Sequence, residues 1–521
     1  MTPNPIIPGY APDPSLVKVK DWYYLVNSTF QMFPGLPIYA SQDLESWKHI
    51  GNAIHRPGQL SLAKSDTRIN PLPKTGEVML VTGGLYAPTI RYHEGTFYVV
   101  CTNIVHPGGD EDISENFIVS TTDIWGGEWS DPVYFDFKGI DPSLLFDDDG
   151  KVYLQGSAAP GPMTKINLFE IDLKTGKKLS EERTLWEGTG GIYPEGPHIY
   201  KRNGWYYLLI SEGGTNEDHM LTMARSRDIW GPYEPHPENP ILTARGTDEY
   251  IQFTGHCEAF QDGEGRWWGV CLGVRRDPGG RYVMGRESFL TRGNWDGEWL
   301  SLDIVKSEID NPNAKGVSAG ISAVRDVDYL YIRDPDLNNY EIRGDDYSEV
   351  VLAASPVDLS HPETSPTFIG KRQRAHLGKS SVTLRPQSWS SSGLTSGADK
   401  LRGGIASYKD EHRYVRVFYD ASDNSVVFEV LNKANGIYKT EARSLESAPE
   451  SIHLRIEYTE QEYRVLYSTG SAPEGDDSWI CLGVVDTMDM TNPDFVGPVI
   501  GVYAVADSGN QKVTFHNLRI D

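Results

Sequence analysis

Hydrophobic and polar positions recur in one order through the first three-fifths of the chain. A short polar motif leads into an apolar run, a charged turn and then an aromatic-rich run. The turns carry pairs such as Asp-Gly or Asn-Gly, and the flanking runs alternate as strands do, which is typical of β-hairpins. We predict five hairpins: DPSLVKVKDWYYLVNST from Asp13, APTIRYHEGTFYVVCTN from Ala87, DPSLLFDDDGKVYLQGS from Asp141, EGPHIYKRNGWYYLLISEGG from Glu195 and GHCEAFQDGEGRWWGVCLG from Gly255.

A second, looser pair of strands follows every hairpin. Several of these pairs contain a Trp-bearing turn, such as DLESW, DIWGG or DIWGP. Units of four strands that repeat every 54 to 74 residues are typical of β-propeller blades. The sequence therefore predicts an all-β fold that begins with a five-bladed β-propeller over residues 1–310. An ordinary β-sandwich with coincidental internal similarity is the alternative.

The rhythm of the chain changes after Trp299. The segment SEIDNPNAKGVSAG is polar and rich in turn residues, and strands such as RYVRVFYDASDNSVVFEVLN follow it. These alternate with polar turns, so we predict a β-sandwich over residues 320–521. Because the connection contains apolar residues such as Ile304 and Ile309 instead of a Gly/Ser or Pro tract, we expect the two domains to pack together.

The residues that open the five hairpins occupy similar places in the repeat. The first strand of each propeller blade lines the central channel, so these residues should converge at one end of it. A single Asp-Pro-Ser motif is more often an ordinary turn, but its repetition favours a functional site. Three of the five are carboxylates and one is a histidine, namely Asp13, Ala87, Asp141, Glu195 and His256.

Composition narrows the range of partners. The formal charge is −25, from 48 Lys and Arg against 73 Asp and Glu, and a field of this sign repels nucleic acid. No stretch approaches the roughly 20 apolar residues that a membrane span needs. We therefore expect neither a nucleic-acid partner nor a membrane partner. The pattern predicts no particular oligomeric state, and a soluble acidic protein is the simplest interpretation of the charge.

The cysteines and the start of the chain bear on the cellular compartment. The four cysteines show no C-x-x-C spacing, and three lie in apolar strand patterns, which favours buried free thiols. The start MTPNPIIPGY lacks the basic and apolar regions of a signal peptide. We therefore expect a cytoplasmic protein or the mature form of a secreted one. The sequon Asn27-Ser28-Thr29 lies in a strand pattern, which slightly favours an intracellular location.

Three converging carboxyl groups suit one kind of chemistry in particular. Glycosidic bonds are cut by two carboxyl groups, of which one protonates the leaving oxygen and the other acts on the opposite face of the sugar. A neighbouring carboxylate raises the pKa of the acid. The residues therefore favour a glycoside hydrolase. Carboxylates together with His256 also suit a Ca²⁺ ion held through water.

Longer motifs cover most of the chain and are specific when taken together. They are NPIIPGYAPDPS, STFQMFPGLPIYASQDLESW, YAPTIRY, GIDPSLLFDDDGKVYL, EGPHIYKRNGWYYLLISEGGT and MGRES. These motifs resemble glycoside hydrolase family 43, and most closely its two-domain β-xylosidase and α-L-arabinofuranosidase branch. FIGKRQ and VIGVYAV resemble the concanavalin A-like sandwich of that branch. The resemblance implies an inverting, single-displacement reaction and a sandwich that closes the substrate pocket.

The resemblance also implies roles for individual carboxylates. Asp13 matches the general base of the family and Glu195 matches its general acid. Asp141 matches the residue that orients the acid and tunes its pKa. For an inverting reaction, the carboxyl groups of Asp13 and Glu195 should lie about 6.5–9.5 Å apart, which leaves room for a water molecule.

Further matches concern binding. Arg286 matches an arginine that contacts sugar hydroxyls or the carboxylates, although a structural ion pair is an alternative. Thr215 and Phe30 match positions that line the sugar subsite, and their alternatives are a turn residue and plain core. His256 matches the channel histidine, which carries a Ca²⁺ ion in some members. Tyr86 matches a subsite wall.

Two positions depart from the family pattern. The tryptophan usual in the motif WAP is Tyr86 in this chain, so the wall of the subsite is smaller and gains a hydroxyl group. The glycine usual after the channel histidine is Cys257. Both departures bear on the preference for one sugar over another.

These features predict an exo-acting hydrolase that releases terminal xylose, terminal arabinofuranose or both. The expected substrates are xylo-oligosaccharides and arabinoxylan. No cofactor is required, and a Ca²⁺ ion in the propeller channel is optional. Two alternatives are a non-catalytic carbohydrate-binding propeller, which has no use for three converging acids, and an endo-acting arabinanase, which a pocket closed on one side does not suit.

Overall fold

A computed structural model describes residues 1–72, 77–108, 111–158, 161–315, 320–344, 348–389, 400–473, 475, 478–507 and 511–521. Regular structure within these ranges is almost entirely β-strand, apart from short 3₁₀ helices at Leu337–Asn339, Pro386–Ser388 and Thr487–Met490. The same ranges contain no helix with the length and apolar character needed to cross a bilayer. The prediction of an all-β fold is confirmed.

The first two blades are antiparallel sheets, and a hairpin formed by β7 and β8 is inserted between them. β4 lies in a loop of blade one, and β9 pairs with β11 in blade two. The strands are β1 (Thr2–Pro3), β2 (Ser15–Val19), β3 (Trp22–Val26), β4 (Met32–Phe33), β5 (Gly35–Ser41), β6 (Ser46–Ile54), β7 (Thr67–Pro71), β8 (Val78–Thr82), β9 (Gly84–Leu85), β10 (Thr89–His93), β11 (Thr96–Val105), β12 (Ile113–Thr121) and β13 (Val133–Phe135).

Blades three, four and five repeat the same antiparallel plan, so the described strands form a five-bladed propeller. They are β14 (Gly139–Phe146), β15 (Val152–Ala158), β16 (Lys165–Glu170) and β17 (Arg183–Trp186), then β18 (Glu195–Arg202), β19 (Trp205–Glu212), β20 (Met220–Ser226), β21 (Glu234–Pro235) and β22 (Leu242–Thr243), then β23 (Ile251–Gln261), β24 (Trp267–Arg275), β25 (Glu287–Asn294) and β26 (Ser301–Leu302).

The core of the propeller lies between neighbouring blades. Aromatic and branched side chains of adjacent sheets interlock, for example Val26 of blade one with Val99 of blade two. The N-terminal segment ties blade one to blade five, because β1 pairs with β27 (Glu308–Ile309) and Ile7 bridges to Ser288. The segment after blade five then adds β28 (Gly320–Ala323) in parallel to the outer strand of blade one.

The rest of the chain forms two stacked antiparallel sheets, as predicted for a sandwich. One has the order β30-β31-β42-β33-β38-β39-β40 and the other β32-β41-β34-β35-β36-β37. The strands are β29 (Tyr331–Ile332), β30 (Tyr340–Arg343), β31 (Glu349–Ala353), β32 (Phe368–Arg372), β33 (Gly378–Leu384), β34 (Arg402–Asp410), β35 (Arg413–Asp420), β36 (Ser425–Asn432), β37 (Ile437–Ser444), β38 (Ile452–Tyr458), β39 (Glu462–Thr469), β40 (Ile480–Asp486), β41 (Val499–Val505) and β42 (Lys512–Arg519).

Propeller and sandwich share an apolar interface. Met32 of the propeller packs in one buried cluster with sandwich residues such as Phe368 and Tyr408. The backbones also approach closely at Gly285, which has φ +72°, and a Cβ there would lie 2.5 Å from the carbonyl oxygen of Val496. Only glycine fits this contact without strain. The two domains are therefore in intimate contact.

Candidate active site

Asp13 lies at the start of blade one in a strained conformation. Its φ is +50°, in the left-handed region that non-glycine residues seldom adopt. The carboxyl group is buried, with Oδ2 accepting from the Ser28 hydroxyl and Oδ1 accepting from Arg286 at 3.1 Å. The fully buried Asn27 amide donates to the carbonyls of Ala11 and Pro12 and so fixes the turn. A tightly held backbone thus aims this carboxylate into the channel.

Asp141 has the same conformation at the start of blade three, with φ +55°. The pairing of β14 with β15 slips between Ile140 and Ser143, so Asp141 lies in a β-bulge. The side chain is buried, and its Oδ2 accepts from the backbone N–H of Gly196 at 3.0 Å. Asp141 is therefore connected directly to the backbone next to Glu195.

The sequence analysis placed Glu195 at the same position of the repeat as Asp13 and Asp141, and the strand pairing corrects this. In blade four the bulge lies between Glu195 and His198, and the residue with positive φ is Gly196 at +57°. Glu195 thus lies one residue earlier than Asp141 does in its own blade. It is partly exposed, whereas Asp13 and Asp141 are buried. By register, the residues at matching positions are Asp13, Ala87, Asp141, Gly196 and His256.

The surroundings of the three carboxyl groups shift their pKa values in different directions. Burial alone would raise the pKa of Asp13, but Arg286, His256 and the Ser28 hydroxyl hold that pKa below its ordinary value. Burial and the Asp13 charge raise the pKa of Asp141 to about 6, against opposing effects of His256, Gly196 and Arg286. Burial, Asp141 and Asp13 raise the pKa of Glu195 well above its ordinary value. At weakly acidic pH, Asp13 is therefore ionised while Glu195 retains its proton.

Arg286 links the carboxylate to both domains. Its NH1 donates to Asp13 and, at 3.0 Å, to the Thr215 hydroxyl, while NH2 donates to the carbonyl of Phe495 at 3.2 Å. The guanidinium also lies over the rings of Phe30 and Phe495, at 5.4 and 5.0 Å from their centroids. Arg286 therefore pairs with Asp13, and its predicted contact with sugar hydroxyls stays a prediction.

Three aromatic rings form one wall beside Arg286. Phe30 and Phe495 stack at 5.4 Å, and Tyr86 contacts both, at 5.1 and 5.7 Å between centroids. Phe30 is buried with φ +49°, whereas Tyr86 and Phe495 are partly exposed. Burial raises the pKa of the Tyr86 hydroxyl, so this group remains a neutral hydrogen-bonding group at ordinary pH. The wall provides an apolar surface with one polar group.

A second ring of side chains closes the channel below the carboxylates. Arg91 pairs with Glu258 at 2.5 Å and contacts His198 and Ser143 at 3.1 and 3.3 Å. Glu258 also accepts from the Ser15 hydroxyl at 2.6 Å. These groups come from all five blades and contact one another at the centre of the channel. The ring therefore makes a floor that fixes the spacing of the blades beneath the site.

His256 lies between this floor and Asp13. Its Nδ1 is 3.9 Å from Asp13 Oδ1, and its backbone N–H donates to the Ser211 hydroxyl at 2.6 Å. Ca²⁺ takes six to eight oxygen ligands, and no group of three or more acidic, His or Cys side chains in the described ranges can hold a metal. A calcium ion ligated directly by side chains does not fit these residues, and a calcium ion held at His256 through water stays a prediction. The recess is lined by Ala87, Thr89, Asp141, Gly196, Pro197, His198 and His256.

The sequence has matches along almost its whole length in comparisons with known families. The family described as glycosyl hydrolases family 43 matches residues 2–300, and the β-xylosidase C-terminal concanavalin A-like domain matches residues 322–520. The chain belongs to glycoside hydrolase family 43. It is a glycoside hydrolase, and the resemblance inferred from the motifs is confirmed.

Several relatives in family 43 match this chain over the length of both domains. A non-reducing-end α-L-arabinofuranosidase of Bacteroides ovatus is 34% identical, with 97% of this chain and 91% of the relative covered. A xylan 1,3-β-xylosidase of a Vibrio species is 31% identical, with 89% and 88% covered. A xylosidase/arabinosidase of Butyrivibrio fibrisolvens is 29% identical, with 98% and 96% covered.

Solved structures of the family have the same fold. A Bacteroides ovatus family 43 protein of a xyloglucan PUL superposes with a TM-score of 0.84 at 30% identity, with both chains covered completely. A xylan β-1,4-xylosidase from Bacillus halodurans superposes with a TM-score of 0.85 at 25% identity, with 99% of each chain covered. The propeller and the sandwich therefore form the common architecture of these family 43 proteins.

The family 43 site contains residues that the sequence analysis did not select. Ser28 and Asn27 hold Asp13, but the sequence analysis considered them only as part of a glycosylation sequon. Phe495 reaches the site from the sandwich, and no local motif marks it. Cys101, Cys257 and Cys271 are buried free thiols as predicted, while Cys481 is exposed. Long-range packing, which has no sequence signature, brings Phe495 to Arg286.

Proposed function

We propose that the protein is an inverting, exo-acting hydrolase that releases terminal xylose, terminal arabinofuranose or both from xylan-derived saccharides. The observation that carries this proposal is the opposite protonation preference of Asp13 and Glu195 at one pocket. One ionised and one protonated carboxyl group are what an acid–base pair needs at the same pH. The acid–base steps need only the three carboxyl groups.

Asp13 acts as the general base in this proposal. Its carboxylate remains ionised to low pH because Arg286 and Ser28 stabilise the charge. It removes a proton from a water molecule as that water attacks the anomeric carbon. Its strained backbone and buried partners keep it in place, so little reorganisation is needed during the reaction.

Glu195 acts as the general acid. It protonates the glycosidic oxygen as the bond to the anomeric carbon breaks, and the partly exposed position suits contact with a leaving sugar. Asp141 keeps the proton on Glu195, since an ionised neighbour makes a second negative charge costly. The N–H of Gly196 donates to Asp141, which also fixes the backbone that carries the acid.

Exo action is supported by contacts that cover the pocket on one side. Phe495 of the sandwich packs on Phe30 and Tyr86, and the inserted hairpin pairs with the same sandwich segment through Leu80 and Asp494. In this proposal the sandwich closes the pocket. Such a pocket admits a chain end in preference to the middle of a polysaccharide. A non-reducing-end arabinofuranosidase and β-xylosidases among the relatives support this choice.

One experiment tests the proposed function directly. The protein is incubated with an aryl β-xyloside, an aryl α-arabinofuranoside and a doubly substituted arabinoxylan, and products are identified by chromatography and NMR. We expect monosaccharide products whose anomeric configuration is inverted. Release of internal oligosaccharides, or a product of retained configuration, would contradict the proposal.

Asp141→Asn should move the alkaline limb of the pH profile. At pH values above its pKa of about 6, Asp141 is ionised and favours the proton on Glu195. Without this charge, the pKa of Glu195 falls, and kcat/KM should decline at a pH about one unit lower than in the wild type. The acid limb should not rise, because Asp13 is not stabilised by Asp141. An unmoved alkaline limb in a folded variant would exclude the tuning role.

A chain ending at residue 310 should lose solubility or activity. The truncation removes Phe495 from Arg286 and exposes apolar side chains such as Phe30 and Met32, which the sandwich covers. The measurements are soluble yield and hydrolysis of small aryl glycosides. As a control, residues 311–521 are supplied as a separate chain to test whether they restore solubility or activity to the propeller. Full activity of the isolated propeller would favour a sandwich that merely binds polysaccharide.

A further inference from the structure

The sandwich segment that reaches the site carries a buried ionic cluster. Asp494 immediately precedes Phe495, and its Oδ2 lies 2.5 Å from Arg413 NH1 and 2.7 Å from Lys409 Nζ. Arg413 also pairs with Asp410 at 2.5 Å. All four charged side chains are buried, so two cations balance two anions inside the protein.

The cluster fixes the segment from one side, and the propeller hairpin fixes it from another. Lys409 and Arg413 lie at the end of β34 and the start of β35, which are paired strands of the sandwich sheet. The carbonyl of Pro493 accepts from the backbone N–H of Leu80 at 2.9 Å. The peptide from Pro493 to Phe495 is therefore held at its first two residues, which leaves little freedom for the third.

Phe495, the last residue of this segment, contacts the candidate active site. Phe495 accepts a hydrogen bond from Arg286, stacks on Phe30 and lies under the guanidinium group. Arg286 in turn donates to Asp13. A continuous series of direct contacts thus connects Asp494 with the carboxylate, and each residue in the series is buried or partly buried.

Ionic clusters of this kind are costly to bury, and apolar packing often stabilises a fold equally well. Their best-supported use is to select one arrangement. We propose that Asp494 is a positioning residue, which anchors Phe495 against Arg286 and thereby keeps Arg286 in contact with Asp13. This inference rests on the proposed role of Asp13 as the base.

The consequence for the reaction has a definite sign. Arg286 stabilises the ionised form of Asp13, so a displaced Arg286 raises the pKa of Asp13. Because the base must be ionised, lowering the pH should abolish activity of the variant at a higher pH than it does for the wild type. The other ionisable groups that interact with Asp13 are His219, His256, Tyr10, Tyr86, Cys101, Asp141 and Glu195. Of these, Tyr10 also interacts with Asp494; burial and the charge of Asp494 raise the pKa of its hydroxyl, so Tyr10 stays neutral over the pH range of the assay.

The test compares Asp494→Asn with Asp420→Asn. Asp420 is buried in the same sandwich and pairs with Arg402 at 2.7 Å, but it lies at the far end of β35, about 23 Å from Arg413 along the strand. Hydrolysis of an aryl glycoside with a good leaving group is measured from pH 3 to 8, roughly the range over which these carboxyl groups titrate. Melting curves report folding.

We expect Asp494→Asn to move the acid limb up by about one pH unit, so that the loss in kcat/KM grows as the pH falls and approaches roughly tenfold on the acid limb itself. Asp420→Asn should lower the melting temperature similarly and leave the acid limb in place. A folded Asp494→Asn variant with an unmoved acid limb overturns the inference. If that variant does not fold, Lys409→Met decides, because it keeps Arg413 on Asp494 and should move the limb in the same direction by less; no movement overturns the inference.

Failure of the inference is distinguishable from failure of the proposed function. Asp13→Asn is measured in the same assay. If it retains activity, the proposed role of Asp13 fails, whatever Asp494→Asn does. If it is inactive while a folded Asp494→Asn keeps the wild-type acid limb, only the positioning role of Asp494 fails.

Discussion

Asp13→Asn should reduce kcat/KM by roughly 10³-fold or more on every substrate, because the attacking water loses its base whatever the leaving group is. The amide keeps the shape of the side chain; its oxygen can still accept from Arg286, and its NH2 group can donate to the Ser28 hydroxyl oxygen. The pocket should therefore remain folded and continue to bind sugar. The measurements are kcat/KM for an aryl glycoside and for a xylo-oligosaccharide.

A matched variant separates chemistry from stability. Asp147 has a buried side chain that pairs with Lys201 in the same propeller, at the end of β14 remote from Asp13. Asp147→Asn should lower the melting temperature without a comparable loss of activity. A loss on natural substrates alone, with aryl glycosides spared, would assign Asp13 to another step.

Glu195→Gln should abolish hydrolysis of natural xylosides but largely spare activated aryl glycosides. A sugar leaving group needs a proton as it departs, so removal of the acid should cost about 10²- to 10⁴-fold on such substrates. A dinitrophenyl leaving group departs as a stable anion and needs no proton. The measurement is a plot of kcat/KM against leaving-group pKa for the variant and the wild type.

The pH profile provides an internal control for the same variant. The alkaline limb of the wild type reports loss of the Glu195 proton, whose pKa is raised by burial and by Asp141. With glutamine in its place, that limb should disappear for activated substrates, while the acid limb of Asp13 remains. An equal loss on all leaving groups would contradict the assignment of the acid.

The repeat of hydrophobic and polar positions predicted the propeller well, because each blade is a local unit with its own hairpin chemistry. It was less accurate at the resolution of single residues. The motif EGPH suggested that Glu195 matches Asp141, whereas the bulge places Gly196 at that position. A one-residue slip changes the direction and depth of a side chain. Only strand pairing reveals such a slip.

The sequence by itself determined the all-β architecture and the convergence of Asp13, Asp141 and His256, since these follow from periodicity and turn chemistry within each blade. The tertiary structure alone decided what surrounds them. Phe495 lies far along the chain from Arg286, and the interface between the domains brings the two together. Protonation is decided in the same way. The pKa of a carboxyl group depends on burial and on charges within a few ångströms, and these come from several blades at once.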